Sequence, residues 1–148
     1  NAALCVMHMQ GTPQDMQVAP VYADVVREVT DFMLDQARAL EAAGVARERI
    51  VLDPGFGFGK TLEHNLTLFR ALEDMGQHGY PLFVGVSRKT MMGQLSGRSV
   101  PAERMVASVA AALLAAQRGA HIIRVHDVAA TCDALKVLHA IEGWRAFA

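Results

Sequence analysis

Residue types that could bind a small molecule are concentrated in one stretch, where an aspartate, a proline and three alternating glycines follow an apolar run. The stretch is Asp53-Pro54-Gly55-Phe56-Gly57-Phe58-Gly59-Lys60-Thr61, and Ile50-Val51-Leu52 precedes it. Glycine tolerates backbone angles that other residues resist and lets the main chain approach a ligand closely, while proline stiffens the turn. The spacing therefore predicts a binding loop that sets the Asp53 carboxylate against its ligand.

Two nucleotide-binding motifs resemble this loop, and both are excluded. A Walker A motif requires glycine where Pro54 stands, five residues before Gly59. The dinucleotide fingerprint requires glycine at Lys60 or at Leu62, depending on where it starts. A plain connector is the remaining alternative, but the combination of glycines, phenylalanines and an aspartate disfavours it. The loop is expected to bind something other than a standard nucleotide phosphate.

Polar side chains also follow three other apolar runs, as Met7-His8, Ser87-Arg88-Lys89 and Arg124-Val125-His126-Asp127. Side chains two apart share one face of a strand, so the sequence predicts that Arg124 and His126 converge, and likewise Ser87 and Lys89. Side chains of these types can donate hydrogen bonds to an anion. Two alternatives stay open, in which Arg124 forms a strand-end ion pair with Asp127 and His126 is a hydrogen-bonded core histidine.

Four strand-helix units account for the chain. The predicted strands cover 4–9, 49–52, 81–86 and 119–127, and the predicted helices cover about 25–43, 62–76, 102–118 and 129–142. Strands alternating with helices predict a parallel sheet with right-handed crossovers. A complete eight-fold barrel needs about 200 residues or more, so a small open sheet and half a TIM barrel are the alternatives.

The polar residues decide between these folds, because they stand where each strand ends. Barrel enzymes build their active sites on that face. The predicted fold class is therefore α/β, of the TIM (β/α)8 barrel family, with this chain covering about the last four βα units. Residues 1–148 are predicted to form one domain, and the absence of a first methionine suggests a fragment.

Composition excludes several classes of function. The chain has 148 residues, 52% of them apolar, with a formal net charge of -1, one Trp and two Tyr. A nucleic-acid-binding surface is not expected without a basic cluster or aromatic platform, and no apolar run approaches membrane-spanning length. Two distant cysteines, Cys5 and Cys132, form no disulfide framework, so a reducing, cytoplasmic setting is predicted.

Four motifs, in this order, resemble those of the dihydropteroate synthase family across nearly the whole chain. They are Met7-His8-Met9-Gln10-Gly11-Thr12-Pro13, residues 53–60, Gly85-Val86-Ser87-Arg88-Lys89 and Arg124-Val125-His126-Asp127. The resemblance implies an eight-stranded α/β barrel. It also implies a transferase of folate biosynthesis that condenses 6-hydroxymethyl-7,8-dihydropterin pyrophosphate with 4-aminobenzoate, and hence a sulfonamide target.

The resemblance also implies roles for individual residues. Asp53 resembles the carboxylate that accepts hydrogen bonds from the pterin edge, and Met7 the apolar floor of that pocket. Lys89 resembles the lysine that donates to the pterin carbonyl. Arg124 resembles the guanidinium that stacks on the pterin face, where its planarity and weak hydration favour it over lysine. Arg124 and His126 resemble the diphosphate site. Lys89, Arg124 and His126 are the predicted catalytic residues.

Further substrate-binding residues follow from the same resemblance. Gly57 and Phe58 resemble the wall of the aminobenzoate site, and Thr90 the residue that meets the aminobenzoate carboxylate at a helix N-terminus. Gly85 and Ser87, within the third motif, complete the predicted substrate-binding set.

The family binds Mg²⁺ on the diphosphate, through residues that this chain does not contain, and the sequence offers no metal site of its own. The predicted partners are the two substrates and either a second copy of the chain, giving a homodimer, or an N-terminal half. Two alternative functions stay open, a pterin-binding module of a methyltransferase and a non-catalytic fragment that needs an N-terminal half. Methyl transfer has no diphosphate to hold, so Lys89, Arg124 and His126 favour the synthase.

Overall fold

The computed structural model describes residues 2–12, 14, 16 and 18–143, and Pro13 of the first motif lies outside them. The strands are β1 (Leu4–Met7), β2 (Ile50–Asp53), β3 (Phe83–Val84) and β4 (Ile122–Ile123). The α-helices are α1 (Val25–Ala42), α2 (Leu62–Arg70), α3 (Leu72–Gly76), α4 (Thr90–Ser96), α5 (Met105–Gln117) and α6 (Val128–Glu142). Short 3-10 helices occupy Arg47–Arg49 and Pro101–Arg104.

The four strands lie side by side in chain order, and every pair is parallel. β1 pairs with β2 from Leu4 opposite Ile50 to Met7 opposite Asp53, and β3 pairs with β4. A parallel bridge between Leu52 and Leu82 connects the two pairs. Within the described ranges no pairing joins β4 back to β1, so the sheet is open. The α/β architecture is as predicted, while the assignment to the last four units of a barrel stays a prediction.

One face of this sheet packs against the helices. Val6, Ile50, Leu52, Leu82 and Val84 project to that face, and each is at most 9% exposed. Because side chains alternate along a strand, Cys5, Met7, Val51 and Asp53 project to the opposite face. Met7 and Ile122 remain 38% and 43% exposed. The chain therefore covers one face of its sheet and leaves part of the other open.

Helix α1 shows how local sequence sets an element. The Asp24 side chain accepts a hydrogen bond from the Arg27 N–H at 3.0 Å, which caps the first turn. Val25, Val29, Met33 and Ala37 recur at a spacing of four residues and are buried, so one stripe of the helix faces the sheet. The helix ends before Gly44, which has a φ of 90°.

Several predicted boundaries are wrong. β1, β3 and β4 are shorter than the predicted strands at 4–9, 81–86 and 119–127, because pairing with a neighbour is limited to the residues just given. The predicted helix at 62–76 is broken at Ala71 into α2 and α3. The stretch between β3 and α5 contains α4, whose Met91, Met92 and Gly93 are buried. Burial of these residues favours a helix in a segment whose sequence is mostly polar.

No single helix in the described part of the chain has both the length and the apolar content to cross a membrane. Thr90–Ser96 and Pro101–Gln117 meet that test only when joined, and they are bent by 74° relative to each other.

Candidate ligand-binding site

The predicted site residues lie at the carboxyl ends of the strands, in the loops that follow them or, for Thr90, at the start of α4. Met7 ends β1 and Asp53 ends β2; Gly57 and Phe58 follow β2; Gly85, Ser87, Lys89 and Thr90 follow β3; and Arg124 and His126 follow β4. The parallel arrangement puts these four ends on one edge of the sheet. The structure thus places residues from four distant parts of the chain on the same side of the molecule.

Asp53 occupies the last position of β2 and is only 9% exposed. Its Oδ1 accepts a hydrogen bond from the Gly55 N–H at 2.8 Å. Burial raises the pKa of this carboxyl, and the Gly55 N–H, Lys89, Arg124 and Lys60 oppose that shift in decreasing order. Asp53 is thus a buried acceptor whose charged form is favoured by three cationic side chains.

Lys89 reaches from the β3 loop to the glycine loop. Its Nζ donates a hydrogen bond to the Phe56 carbonyl and lies 4.5 Å from the centre of the Phe58 ring. Burial lowers the pKa of Lys89 to about 8, and Asp53 and Arg124 act on it with opposite signs. A Cβ at Gly57 would lie 3.5 Å from the Lys89 side chain, an ordinary van der Waals contact, so the φ of 78° is what favours glycine at this position.

Arg124 continues the pairing of β4 by one residue, since its N–H donates to the Val84 carbonyl at 2.9 Å. A Cβ at Gly85 would lie 3.3 Å from Arg124 Nε, so glycine leaves room for the guanidinium. The guanidinium lies 6.0 Å from the centre of the Phe83 ring. Arg124 is exposed, so a ligand can reach its guanidinium.

The alternative ion pair between Arg124 and Asp127 is wrong, because Asp127 pairs with Arg88. Two hydrogen bonds of 3.1 and 2.5 Å join the Arg88 guanidinium to the Asp127 carboxylate. These bonds hold the pKa of Asp127 below its usual range. Arg88 has a φ of 57°, in the left-handed region, and its N–H donates to Ser108 Oγ at 2.9 Å. The pair ties the β3 loop to the β4 loop.

His126 contacts Ser87 twice. The His126 N–H donates to Ser87 Oγ at 3.1 Å, and the ring Nδ1 lies 3.0 Å from the same oxygen. The alternative described His126 as a hydrogen-bonded core histidine. The hydrogen bond is present, but His126 is exposed, so the core position is wrong. Ser87 and His126 thus belong to one cluster.

The strand pleat cannot place either residue pair, so the convergence of Arg124 with His126 and of Ser87 with Lys89 stays a prediction. β4 ends at Ile123 and β3 ends at Val84, so Arg124 and His126, like Ser87 and Lys89, lie outside the strands. The left-handed residue Arg88 between Ser87 and Lys89 turns the backbone there. Contacts between loops place Ser87 against His126, and place Lys89 against the glycine loop.

A cavity of about 650 Å³ lies between the glycine loop and α4. Its lining includes Gly57, Phe58, Lys89 and Thr90 from the predicted site. The cationic residues that line it are Lys60, Arg88, Lys89 and Arg104, and its lining contains no carboxylate. The charge of the lining therefore favours an anionic ligand with an apolar body that can contact the phenylalanines.

Sequence reasoning missed Lys60 and Asn65 as residues that shape this site. Lys60 is 4% exposed, and its Nζ lies 3.0 Å from the carbonyl oxygens of Gly55 and Phe58. Asn65 Oδ1 accepts from the Gly57 N–H at 2.8 Å. The sequence did contain a signal, a lysine directly after a glycine loop. Because a nucleotide phosphate was excluded as the partner of this lysine, its ammonium needed another partner within the fold.

The described residues contain no group of three or more His, Cys, Asp or Glu side chains that could hold a metal ion. No such cluster is therefore available among these residues to hold Mg²⁺ through protein ligands alone.

Residues 1–126 match the family described as pterin binding enzyme. The chain is 55% identical over 142 residues to dihydropteroate synthase from Neisseria meningitidis serogroup C, covering 95% of this chain and 50% of that protein. It thus spans about half the length of that relative.

Solved structures give the same likeness. Dihydropteroate synthase from Stenotrophomonas maltophilia, with active site-bound imidazole, superposes with a TM-score of 0.92 at 51% identity, over 97% of this chain and 54% of that one. The enzyme from Xanthomonas albilineans, in complex with 7,8-dihydropteroate, gives a TM-score of 0.88 at 45% identity, over 97% and 53% of the two chains.

Proposed function

Because this chain belongs to the pterin binding enzyme family, we propose that it supplies the pterin and aminobenzoate sites of a dihydropteroate synthase. The reaction condenses 6-hydroxymethyl-7,8-dihydropterin pyrophosphate with 4-aminobenzoate, and it gives 7,8-dihydropteroate and pyrophosphate in folate biosynthesis. The observation that carries the proposal is the placement of Asp53, Lys89 and Arg124 at or just after the carboxyl ends of three neighbouring parallel strands.

The pterin lies on the open face of the sheet in this proposal. The Asp53 carboxylate accepts from the ring N–H and the exocyclic amine, because two oxygens match that guanidine-like edge. Lys89 donates to the pterin carbonyl, and Arg124 stacks on the ring face. Met7 supports the ring from β1, where it lies opposite Asp53 in the strand register.

The diphosphate lies at the β4 loop. Arg124 supplies positive charge, and His126, held by Ser87, supplies a ring nitrogen on the same side. Arginine forms charge-assisted hydrogen bonds with phosphate oxygens in a fixed geometry. The exposed position of Arg124 and His126 suits a diphosphate, which is strongly hydrated before it binds.

Aminobenzoate occupies the cavity of about 650 Å³. Its ring packs on Phe58 and over Gly57, and the Thr90 hydroxyl meets its carboxylate. The absence of carboxylates from the lining avoids repulsion of that anionic group. Sulfonamides that mimic aminobenzoate would compete for the same cavity.

The reaction then needs no protein nucleophile. The bond between the pterin methylene carbon and the diphosphate oxygen breaks, and its electron pair leaves with pyrophosphate. The positive charge on the methylene carbon is shared with the pterin ring until the aniline nitrogen attacks and forms the C–N bond. That nitrogen then releases a proton to water. Arg124 and His126 stabilise the leaving group, and Asp53 and the aminobenzoate cavity hold the reactants in line, effects worth several kcal/mol each in favourable cases.

Magnesium is proposed to arrive with the diphosphate and to use protein ligands from outside this chain. None of the steps above assigns a magnesium ligand to this chain, whose described residues include no cluster of three or more His, Cys, Asp or Glu side chains. Cys5 and Cys132 are both free thiols, which supports the proposal of a reducing compartment, the cytoplasm.

The open sheet supports a proposal about assembly. β1 and β4 each have one edge without a strand neighbour among the described residues, and such edges favour pairing with further strands. We propose that an N-terminal half completes the barrel, with a homodimer as the alternative. The relative from Neisseria, which is about twice as long, favours the first arrangement.

Binding of a pterin to the full-length protein tests the proposed function. Asp53→Asn should weaken the affinity for 6-hydroxymethylpterin by at least about 100-fold in calorimetry, because a buried carboxylate that accepts two donors is replaced by a mixed donor and acceptor. Asp133→Asn is the matched control, since Asp133 lies on the exposed surface of α6 in an ion pair with Lys136. Unchanged affinity in Asp53→Asn would contradict the assigned pterin edge.

A further inference from the structure

Lys60 is a buried ammonium whose direct contacts are all with uncharged groups. Its Nζ lies 3.0 Å from His8 Nδ1, 3.0 Å from the carbonyl oxygens of both Gly55 and Phe58, and 3.4 Å from the His8 carbonyl oxygen. Burying an ammonium is costly unless its donors are satisfied. A carboxylate would bind the ammonium more strongly than these groups do. Because the partners are instead main-chain carbonyls and a ring nitrogen, the contacts of Lys60 fix the geometry of the loop.

The protonation states of Lys60 and His8 fit this arrangement. Burial, with a smaller contribution from Lys60, lowers the pKa of His8 to about 4, and Glu28 opposes this shift. Burial lowers the pKa of Lys60 to about 8, while Asp53 raises it and Lys89 lowers it. Between these values Lys60 is charged and His8 is neutral. Since an ammonium has donors and no acceptor, His8 Nδ1 must accept.

The segments that Lys60 connects are in tight contact. A Cβ at Gly55 would lie 1.8 Å from the His8 carbonyl oxygen, and one at Gly59 would lie 2.5 Å from the Gln10 carbonyl oxygen. The glycine loop therefore lies directly on the backbone that follows β1. Tyr22 adds a further bond to the loop, as its hydroxyl donates to the Gly59 carbonyl at 2.8 Å.

The same loop contacts two residues of the proposed substrate site. The Gly55 N–H donates to Asp53 Oδ1 at 2.8 Å. The Phe56 carbonyl accepts from Lys89 Nζ, which also lies over the Phe58 ring. A shift of the loop would therefore displace partners of both Asp53 and Lys89.

We propose that Lys60 is a positioning residue of the substrate site. By joining His8 to the carbonyls of Gly55 and Phe58, its ammonium fixes the loop against which Asp53 and Lys89 are set. Lys60 acts through that loop and does not itself contact the pterin. This inference rests on the proposed function, because the residues it positions are those assigned to the pterin.

Replacing the ammonium by an apolar group of similar length tests the proposal in the full-length protein. Lys60→Met should weaken the affinity for 6-hydroxymethylpterin by at least about tenfold, because the loop is no longer fixed. The matched control is Lys136→Met, on the exposed surface of α6, which should bind like the wild type. A Lys60→Met protein that binds the pterin as tightly as the wild type overturns the positioning role.

A measurement on the unliganded wild type covers the case in which Lys60→Met does not fold. Nitrogen-15 NMR of the His8 ring between about pH 5 and 7 should show a neutral imidazole with Nε2 protonated and Nδ1 accepting a hydrogen bond. A protonated Nδ1 overturns the proposal. Failure of the wild type to bind the pterin would instead contradict the proposed function, so the two failures are distinguishable.

Discussion

The end of β2 and the end of β4 both contribute to the proposed site but are built differently. At the β2 end, Asp53 is 9% exposed and Lys60 is 4% exposed, and main-chain groups of the glycine loop contact both. At the β4 end, Arg124 and His126 are exposed. The links of that end to the rest of the site are side-chain contacts, such as the one between His126 and Ser87.

The position of each strand in the sheet explains the difference. β2 has β1 on one side and the residue before β3 on the other, whereas β4 pairs with β3 only. A central strand is covered by its own neighbours, and an edge strand depends on what packs beside it. The β2 end is therefore preorganised within this chain, and the β4 end is where a completing strand would have the largest effect.

The largest expected effect is on the β2 end, through Gly55. In Gly55→Ala the new Cβ meets the His8 carbonyl at 1.8 Å, and the backbone keeps a φ of 68°. Left-handed strain and overpacking each cost about 1–3 kcal/mol, so the free energy of unfolding should fall by about 4 kcal/mol in chemical denaturation. Gly97→Ala is the control, because Gly97 has a φ of 71° and a Cβ at this position would have nothing within 4 Å. Equal losses in the two variants would contradict the close packing of the loop.

Acid should also destabilise the β2 end, through His8. The pKa of His8 is about 4 in the folded protein against an ordinary value of 6.5, so the unfolded chain takes up the proton first. The free energy of unfolding should therefore fall by on the order of 3 kcal/mol as the pH is lowered from 6.5 towards 4. Chemical denaturation at a series of pH values measures this loss. His8→Gln should reduce the slope of the free energy of unfolding against pH. The same slope in both proteins would show that His8 is not the group responsible.

At the β4 end, His126→Ala should weaken the binding of pyrophosphate by roughly tenfold, since hydrogen bonds to charged groups contribute about 1.5–3 kcal/mol. The affinity for 6-hydroxymethylpterin should change less, because His126 is assigned to the leaving group. Calorimetry with each ligand separates the two effects. Equal losses for both ligands would indicate a structural role for this histidine.

The smallest effect is expected from the ion pair between the β3 and β4 loops. Asp127→Asn should weaken pyrophosphate binding by roughly two- to fivefold at low salt, since partly exposed pairs contribute little. The difference from the wild type should shrink at high salt, because screening weakens the pair in the wild type too. A difference that does not depend on salt would mean that the charge of Asp127 is not the cause.

Local sequence was sufficient for much of the fold. Apolar runs and helical spacing predicted the order of four strands and the helices after them, and α1 begins at Val25, the first residue of its predicted apolar stripe. Strand lengths were wrong, because how far a strand extends depends on its neighbour and not on its own residues. Helix α4 was missed because it is only seven residues long, too short for a helical period to stand out in the sequence.

The sequence by itself determined which chemical groups stand at the strand ends, since the run from Asp53 to Thr61 and the segment from Arg124 to Asp127 are each short and contiguous. Only the tertiary structure decided which partner each group has. It pairs Asp127 with Arg88 instead of Arg124, and it buries Lys60 against His8, 52 residues away in the chain. The reason is physical: backbone preferences act between near neighbours, whereas burial and electrostatic pairing depend on distances that exist only after the chain has folded.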